Sequence, residues 1–344
     1  MFMMRKNILL IFLAIIIICI LLAGCSISVG KKQTQKRPEV GGYVGGLQGL
    51  NARLLEGSPP DIIQDAGITP FSFTVLVENA GEAAVGKGTD NPLVMVRLAG
   101  ISYKDFNIKQ EEAAKRLDDK LESVKRNYDD SVTPGEISYV GFDNLAYVNH
   151  VSESIVLTFR AEVCYDYESY ATTKFCVKKE VFESAEDSTI CNLRGPRPFG
   201  NSGAPLQVTN VEEAPINNNT LQINFNIEHL GKGVFFFRNE PKDLFDACVF
   251  SDMNPNRYKL EVFVEPVQAN TYNVSCQRLD GSLPGGGAYG LVKMPDGAPL
   301  AMSCFVKRLK PMESRVYQDL LNIKLRYRYG EFIEKPILIQ GYVS

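Results

Sequence analysis

Residues 71–81, FSFTVLVENAG, place Phe71, Phe73, Val75 and Val77 on one face and Ser72, Thr74, Leu76 and Glu78 on the other. Successive side chains of a strand point to opposite sides, so this period of two marks a β-strand with one buried face. Asn79-Ala80-Gly81 then supplies a turn. The same pattern returns at an offset of 150 residues in 221–233, LQINFNIEHLGKG, where Leu221, Ile223, Phe225 and Ile227 alternate with polar residues before His229-Leu230-Gly231.

The far ends of these two segments also match. LTFRAEVCYDYES (157–169) is followed by KFCVKKEV, and LNIKLRYRYGEF (321–332) by KPILIQGYV. Each reads as a strand ending in Tyr-x-Tyr, a short turn and a second strand, so Tyr165 and Tyr167 correspond to Tyr327 and Tyr329. Two similar openings and two similar closings predict one domain type used twice. Between them, YKLEVFVEPV (258–267), YNVSCQRL (272–279) and LAMSCFVKR (300–308) are separated by Asn-Pro, Gly and Pro-Asp-Gly punctuation, the rhythm of an antiparallel sandwich. One segment stands apart. KQEEAAKRLDDKLESVKRN (109–127) carries Ala113, Leu117 and Leu121 at four-residue spacing and predicts an amphipathic surface helix inserted in the first domain.

The N-terminus carries an address. Arg5 and Lys6 precede a run without charge from Ile8 to Gly24, which ends Leu22-Ala23-Gly24-Cys25. A basic start, an apolar core and a small-residue exit form the plan of a secretory signal peptide. The exit resembles a lipobox, in which Cys25 is lipidated and becomes the first mature residue. An uncleaved membrane helix is the other reading. Either one tethers the remainder to the outer face of the cell membrane. Residues 25–66 then read as a Gly/Pro-rich tether. The basic cluster Lys31, Lys32, Lys36 and Arg37 is either apposed to anionic headgroups or a solvated run. Within the tether, GLNARLLEGSPPDII (49–63) predicts an edge strand added to the first domain. The expected organisation is thus 1–24 signal or anchor helix, 25–66 tether, 67–190 first domain, 191–204 linker and 205–344 second domain.

Six cysteines remain beyond Cys19 and Cys25, an even set that fits structural disulfides in an oxidising compartment. A hairpin turning at Tyr170 would set Cys164 opposite Cys176. Cys276 and Cys304 flank the turn LPGGGAYG (283–290), which leaves Cys191 with Cys248. No C-x-x-C pair occurs and only His150 and His229 are present, so zinc is poorly supported. No cofactor is expected. A formal net charge of −3 over 344 residues gives no electrostatic footprint for nucleic acid.

The residues carry a resemblance. VLVENAGEAAV (75–85) resembles the opening of CARDB-type immunoglobulin-like domains. The lipobox, GGLQGL (45–50) with the following GSPPDII, CYDYES…FCV and SGAPLQVTNVEE (202–213) together resemble a group of archaeal surface lipoproteins. The resemblance implies a mainly β protein of two tandem immunoglobulin-like antiparallel β-sandwiches at the cell surface, and it implies no activity. His229 departs from it, standing where such domains usually carry Asn.

Chemistry-bearing candidates are sparse. His150 has Ser152 and Ser154 nearby in sequence, but there is no G-x-S-x-G elbow. His229 falls in a turn. Asp252, Asn254 and Asn256 begin like a calcium loop, yet Arg257 and Phe263 occupy the positions that an EF-hand gives to Gly and an acid. Asn218 and Asn273 head glycosylation sequons. Phe235, Phe236 and Phe237 lie either in a buried interface or in an exposed contact patch. The expected function is adhesion or structural interaction with an envelope protein or glycan, without catalysis. The alternative is a ligand-capturing accessory lipoprotein of a transporter or assembly complex. A concave pocket where the two domains meet, lined by Tyr165, Tyr167 or the phenylalanines, would favour the alternative.

Overall fold

The alternating segments are strands. Leu50–Leu54 (β1), Phe71–Asn79 (β2), Val94–Ala99 (β3), Ala114–Arg116 (β4), Ile137–Leu145 (β5) and Ile155–Lys178 (β6) build the first half. Leu206–Asn217 (β7), Thr220–His229 (β8), Lys259–Pro266 (β9), Tyr272–Cys276 (β10), Gly287–Lys293 (β11), Leu300–Arg308 (β12) and Val316–Gln340 (β13) build the second. The computed structural model describes residues 40–181, 190–241, 243–312 and 314–341. The expected signal segment 1–24, Cys25 and the basic cluster Lys31–Arg37 lie outside the described residues. Among the described residues the protein is mainly β, helical geometry is confined to short 3-10 turns, and no helix is long and apolar enough to cross a membrane.

The closing segments are not hairpins. Ile155–Lys178 is one strand of 24 residues and Val316–Gln340 one of 25. They pair antiparallel without a break, from Ile155 opposite Ile339 to Lys178 opposite Val316. Tyr170 therefore sits inside a strand, opposite Lys324. The turn expected there rested on the even spacing of Cys164 and Cys176, with no Gly or Pro to mark it, whereas Tyr170 lies in an extended ladder with its backbone N–H and C=O both bonded to Ser202. This pair forms the spine of a ten-stranded sheet: β3 and β4 flank β6, while β9, β11 and Gly281–Leu283 flank β13.

Two smaller sheets cover one face of the spine. They are β1-β2-β5 and a five-stranded sheet containing β7-β8-β12-β10. Odd-numbered residues of β6 point toward them. Phe159 stacks on Phe73 of β2, with ring centroids 5.6 Å apart, and Phe175 meets Tyr272 of β10 edge-on at 5.3 Å. Full burial of each such ring stabilises the fold by about 1.5–3 kcal/mol. Even-numbered residues point to the other face, where Phe236, Ala247 and Cys248 cover Met95 and Cys164 in a second apolar cluster. The centre of β6 is thus buried on both faces, and the charged residues of its outer face, Glu162, Asp166 and Glu168, are each held by an arginine.

The halves are related by an approximate two-fold. Register sets Tyr165 opposite Tyr329, Tyr167 opposite Tyr327, and Asp166 opposite Arg328. Because Tyr165 corresponds to Tyr327 and Tyr167 to Tyr329, the relating axis passes through the Asp166–Arg328 pair. The surrounding strands repeat the relation: β2 lies between β1 and β5 as β8 lies between β7 and β12, and β3 borders β6 as β9 borders β13. The described residues form one compact unit. The segment expected as a linker is built into it, with Gly195–Pro196 pairing with β7 and Phe199–Asn201 with β6. The edge strand expected from the tether is β1, paired with β2.

The helix expected at 109–127 is absent. Only Gln110–Glu112 is helical, as a 3-10 turn. Ala114–Arg116 pairs with β3, Lys120–Leu121 with Val85–Gly86, and Lys125–Arg126 with Val132–Thr133. Ala113, Leu117 and Leu121 are buried as the spacing required. They enter the core from extended chain, because the open edge of β3 offers backbone partners that outweigh the helical propensity of the segment.

Candidate functional site

Four tyrosines meet at the seam. Tyr165, Tyr167, Tyr327 and Tyr329 are all buried, and their rings touch at centroid distances of 5.6–6.4 Å. Their hydroxyls tie the seam to the loops after β2 and β8 in matched ways. Ala83 N–H donates to Tyr167 Oη at 3.3 Å, and Gly233 N–H, 150 residues later, donates to Tyr329 Oη at 2.7 Å. Gly81 and Gly231 precede these donors. A Cβ on either would lie 1.9 Å from Tyr167 Oη or 2.2 Å from Tyr329 Oη, so both positions exclude a side chain.

The symmetry then breaks, and a pocket results. Beside Tyr167, Glu82 accepts hydrogen bonds from Val44 N, Gly45 N and Gly203 N at 2.6–2.8 Å. Those backbone segments fill the space. Lys232 stands at the corresponding position in the second half, and no carboxylate draws the chain in. Beside Tyr329 there is instead a pocket of about 360 Å³, lined by Leu47, Leu50, Tyr165, Pro205, Leu230 and Lys232, with Glu331 in its wall.

Glu331 is on the core-facing register of β13, after Leu325, Tyr327 and Tyr329. Its Oε1 is buried without a hydrogen-bond partner. Burial pushes its carboxyl up to about 7, offset in part by the charge of Lys232. Burial also holds the Tyr165 phenol well above the ordinary tyrosine range, aided by the nearby Glu331 charge. Tyr165 Oη accepts from Leu50 N–H at 3.2 Å, which leaves its own proton to donate. Tyr329 Oη lies 3.1 Å from His229 Nε2, and burial lowers the His229 pKa. The pocket thus combines an apolar wall, one unsatisfied carboxyl, one ammonium and one phenol donor.

The other singled-out residues have structural partners. Phe235 packs on His229, Tyr258 and Tyr327, and Phe236 on Phe250 across the other face of the sheet. Both are buried, so neither offers a contact surface, and Phe237 is half-buried. His150 Nδ1 meets the buried carboxylate of Asp65 at 2.5 Å. Asp252 pairs with Arg257, and Asn254 accepts from Asn256 N, which closes a turn in place of a calcium loop. Among the described residues no group of three His, Cys, Asp or Glu is arranged to hold a metal. LPGGGAYG is the hairpin turn into β11, with Gly285 and Gly286 at positive φ. Asn218 and Asn273 are exposed.

Two of the three disulfides differ from the expected pairing. Cys276–Cys304 joins β10 to β12 as expected, whereas Cys164 bonds Cys248 and Cys176 bonds Cys191. Cys164 and Cys176 share one strand and stand roughly 40 Å apart at about 3.3 Å per residue, beyond any bridge.

A second concavity of about 530 Å³ on the opposite face is lined by Arg116, Asp166, Arg238 and Arg328. Its arginines are committed: Arg328 and Arg238 hold Asp166, and Arg116 donates to Pro92 O.

Sequence reasoning named Tyr165 for this site and missed Glu331 and Lys232. The signal for Glu331 was legible, a lone acid on the buried register of an alternating strand. Comparison of the sequence with models of known protein families gives no match, and no curated protein matches it.

Proposed function

We propose that the protein is a non-enzymatic, extracytoplasmic ligand-capturing protein, held at the outer face of the cell membrane by a lipid on Cys25. Each half is read as an immunoglobulin-like sandwich of CARDB type, and the ligand site lies where the halves join. The observation that carries this reading is the seam pocket, lined by Tyr165 and Tyr329 and walled by a carboxyl oxygen without a partner. A buried polar atom left unsatisfied costs about 1–3 kcal/mol, and a bound group that satisfies it recovers that cost. A concave, mainly apolar site with a few convergent polar groups is the usual form of a small-molecule site. The three disulfides fit an oxidising compartment. The reading as non-enzymatic rests on the engagement of both histidines, one by Asp65 and one by Tyr329.

The test is thermal stabilisation of the full chain by a panel of small amino, carboxylic and neutral compounds, compared with Leu230→Trp, which fills the pocket mouth. Ligands that raise Tm in the native chain and not in the variant support the reading. A panel without effect on either overturns it. Cys25→Ser is expected to release the protein from membranes, and tight retention would favour an uncleaved helix.

Adhesion through a sheet edge is the second reading. It is favoured by β5, an edge of the three-stranded sheet, which exposes Ile137 and Tyr139. Proteolytic shaving or cross-linking that captures an envelope component at β5 would support it.

A further inference from the structure

We propose that the seam pocket takes a compact zwitterion, a free α-amino acid with an apolar side chain, its ammonium on Glu331 and its carboxylate on Lys232 and the Tyr165 hydroxyl. This deepens the ligand-capture reading and rests on it. Three features of the wall carry the assignment. Glu331 lines the pocket and its buried Oε1 has no hydrogen-bond partner in the protein, so no donor there competes with an ammonium in the pocket for this carboxyl. Lys232 lines the same pocket and is exposed, and no carboxylate pairs with it among the described residues. The charges act on one another, since Lys232 is what opposes the upward push on the Glu331 carboxyl. A lone amine would meet Lys232 as a like charge, and a lone carboxylate would meet Glu331. A zwitterion satisfies both. Leu47, Leu50, Pro205 and Leu230 then supply an apolar wall for the side chain.

The comparison with the first half explains why the ligand is a separate molecule. There Glu82 receives three backbone N–H groups from the chain itself. At the corresponding place Lys232 offers donors instead of acceptors, which backbone N–H groups cannot use.

The groups facing Glu331 are Lys232, Tyr165 and Tyr329, with His229 behind Tyr329. Tyr165 and Tyr329 are held protonated by burial, and burial favours the neutral form of His229. Across pH 6–8 the change at this site is therefore the ionisation of Glu331, which favours the ligand ammonium as pH rises.

The experiment is isothermal titration of the full chain with leucine, 3-methylbutylamine, 4-methylpentanoic acid and 3-methylbutan-1-ol. Leucine is expected to bind at least tenfold tighter than the other three. Its affinity should rise about tenfold from pH 6 to pH 8, as expected for a carboxyl titrating near 7. Glu331→Gln should lower leucine affinity at least tenfold and abolish the pH dependence, and Lys232→Met should lower it without abolishing that dependence. If the amine, the acid or the alcohol binds as well as leucine, the zwitterion assignment is overturned and the pocket reading survives. If none of the four binds, both fail. The native-chain series decides this even where a variant does not fold.

Discussion

Arg328 donates its Nε to Asp166 Oδ1 at 2.9 Å, and these two residues hold the same position in the two halves. The side chains are 2 % and 3 % exposed. A cation has replaced an anion, or the reverse, at the point where an exact repeat would set a residue against its own copy. Two like charges there would repel in a medium that screens poorly. The divergence turns that conflict into an attraction, and Arg238 adds a second contact to Asp166 at 3.3 Å while Arg328 Nη1 and Nη2 donate to Ala247 O and Asn239 O.

Breaking one side of this pair should be costly. Asp166→Leu strands the buried Arg328 charge and is expected to lower stability by about 3–5 kcal/mol in urea denaturation, and Arg328→Met, which leaves Asp166 only its Arg238 contact, by somewhat less. The double replacement Asp166→Leu/Arg328→Met should lose much less than the sum, since it strands neither. Additive losses would show that the two side chains do not depend on each other.

Gly81→Ala and Gly231→Ala should both destabilise, by roughly 1–3 kcal/mol or more, because each new methyl enters a tyrosine hydroxyl. Adding Tyr329→Phe to Gly231→Ala is expected to recover part of the loss. Tyr167→Phe should rescue Gly81→Ala less, since a Cβ at Gly81 also lies 2.5 Å from Gly203 O and 2.6 Å from Gln48 O. Thermal melts of the four variants check the order.

Much of this was legible in the sequence. The alternation at 71–79 and 220–229 gave strands, and Tyr-x-Tyr marked equivalent places. What the sequence concealed was how the halves meet. A 24-residue strand and a 12-residue-armed hairpin share one pattern of alternation, and only the partner strand decides between them. The segment 109–127 misled for a related reason: four-residue spacing is compatible with a helix and also with short extended pieces that enter the core one residue at a time. The pocket escaped because it comes from a failure of symmetry at Lys232, visible only once Glu82 is seen holding the chain in the other half.

Stability should depend on pH through Glu331. Its folded value, about 7, lies above the ordinary 4.5, so the folded state binds the proton more tightly. The stabilising contribution is complete below about pH 4.5 and is lost as pH rises to 7, by up to roughly 3 kcal/mol. Glu331→Gln should remove that slope. Glu213, which burial also raises to about 7, is present in both proteins and cancels in the difference. Parallel stability curves for the native chain and the variant between pH 5 and 8 would contradict the burial of this carboxyl.

The spine of two unbroken strands is tested most directly by the disulfide map. Non-reducing digestion followed by mass spectrometry should recover peptides joining Cys164 to Cys248, Cys176 to Cys191 and Cys276 to Cys304. The Cys164–Cys248 link sets Cys248 on the outer face of β6 beside Phe236 and Ala247, and it excludes the Cys164–Cys176 bond that a hairpin at Tyr170 would form. Its presence is the predicted result. A peptide joining Cys164 to Cys176 would require a hairpin at Tyr170 and would contradict the continuous seam, the two-fold through Asp166 and Arg328, and the pocket built on them.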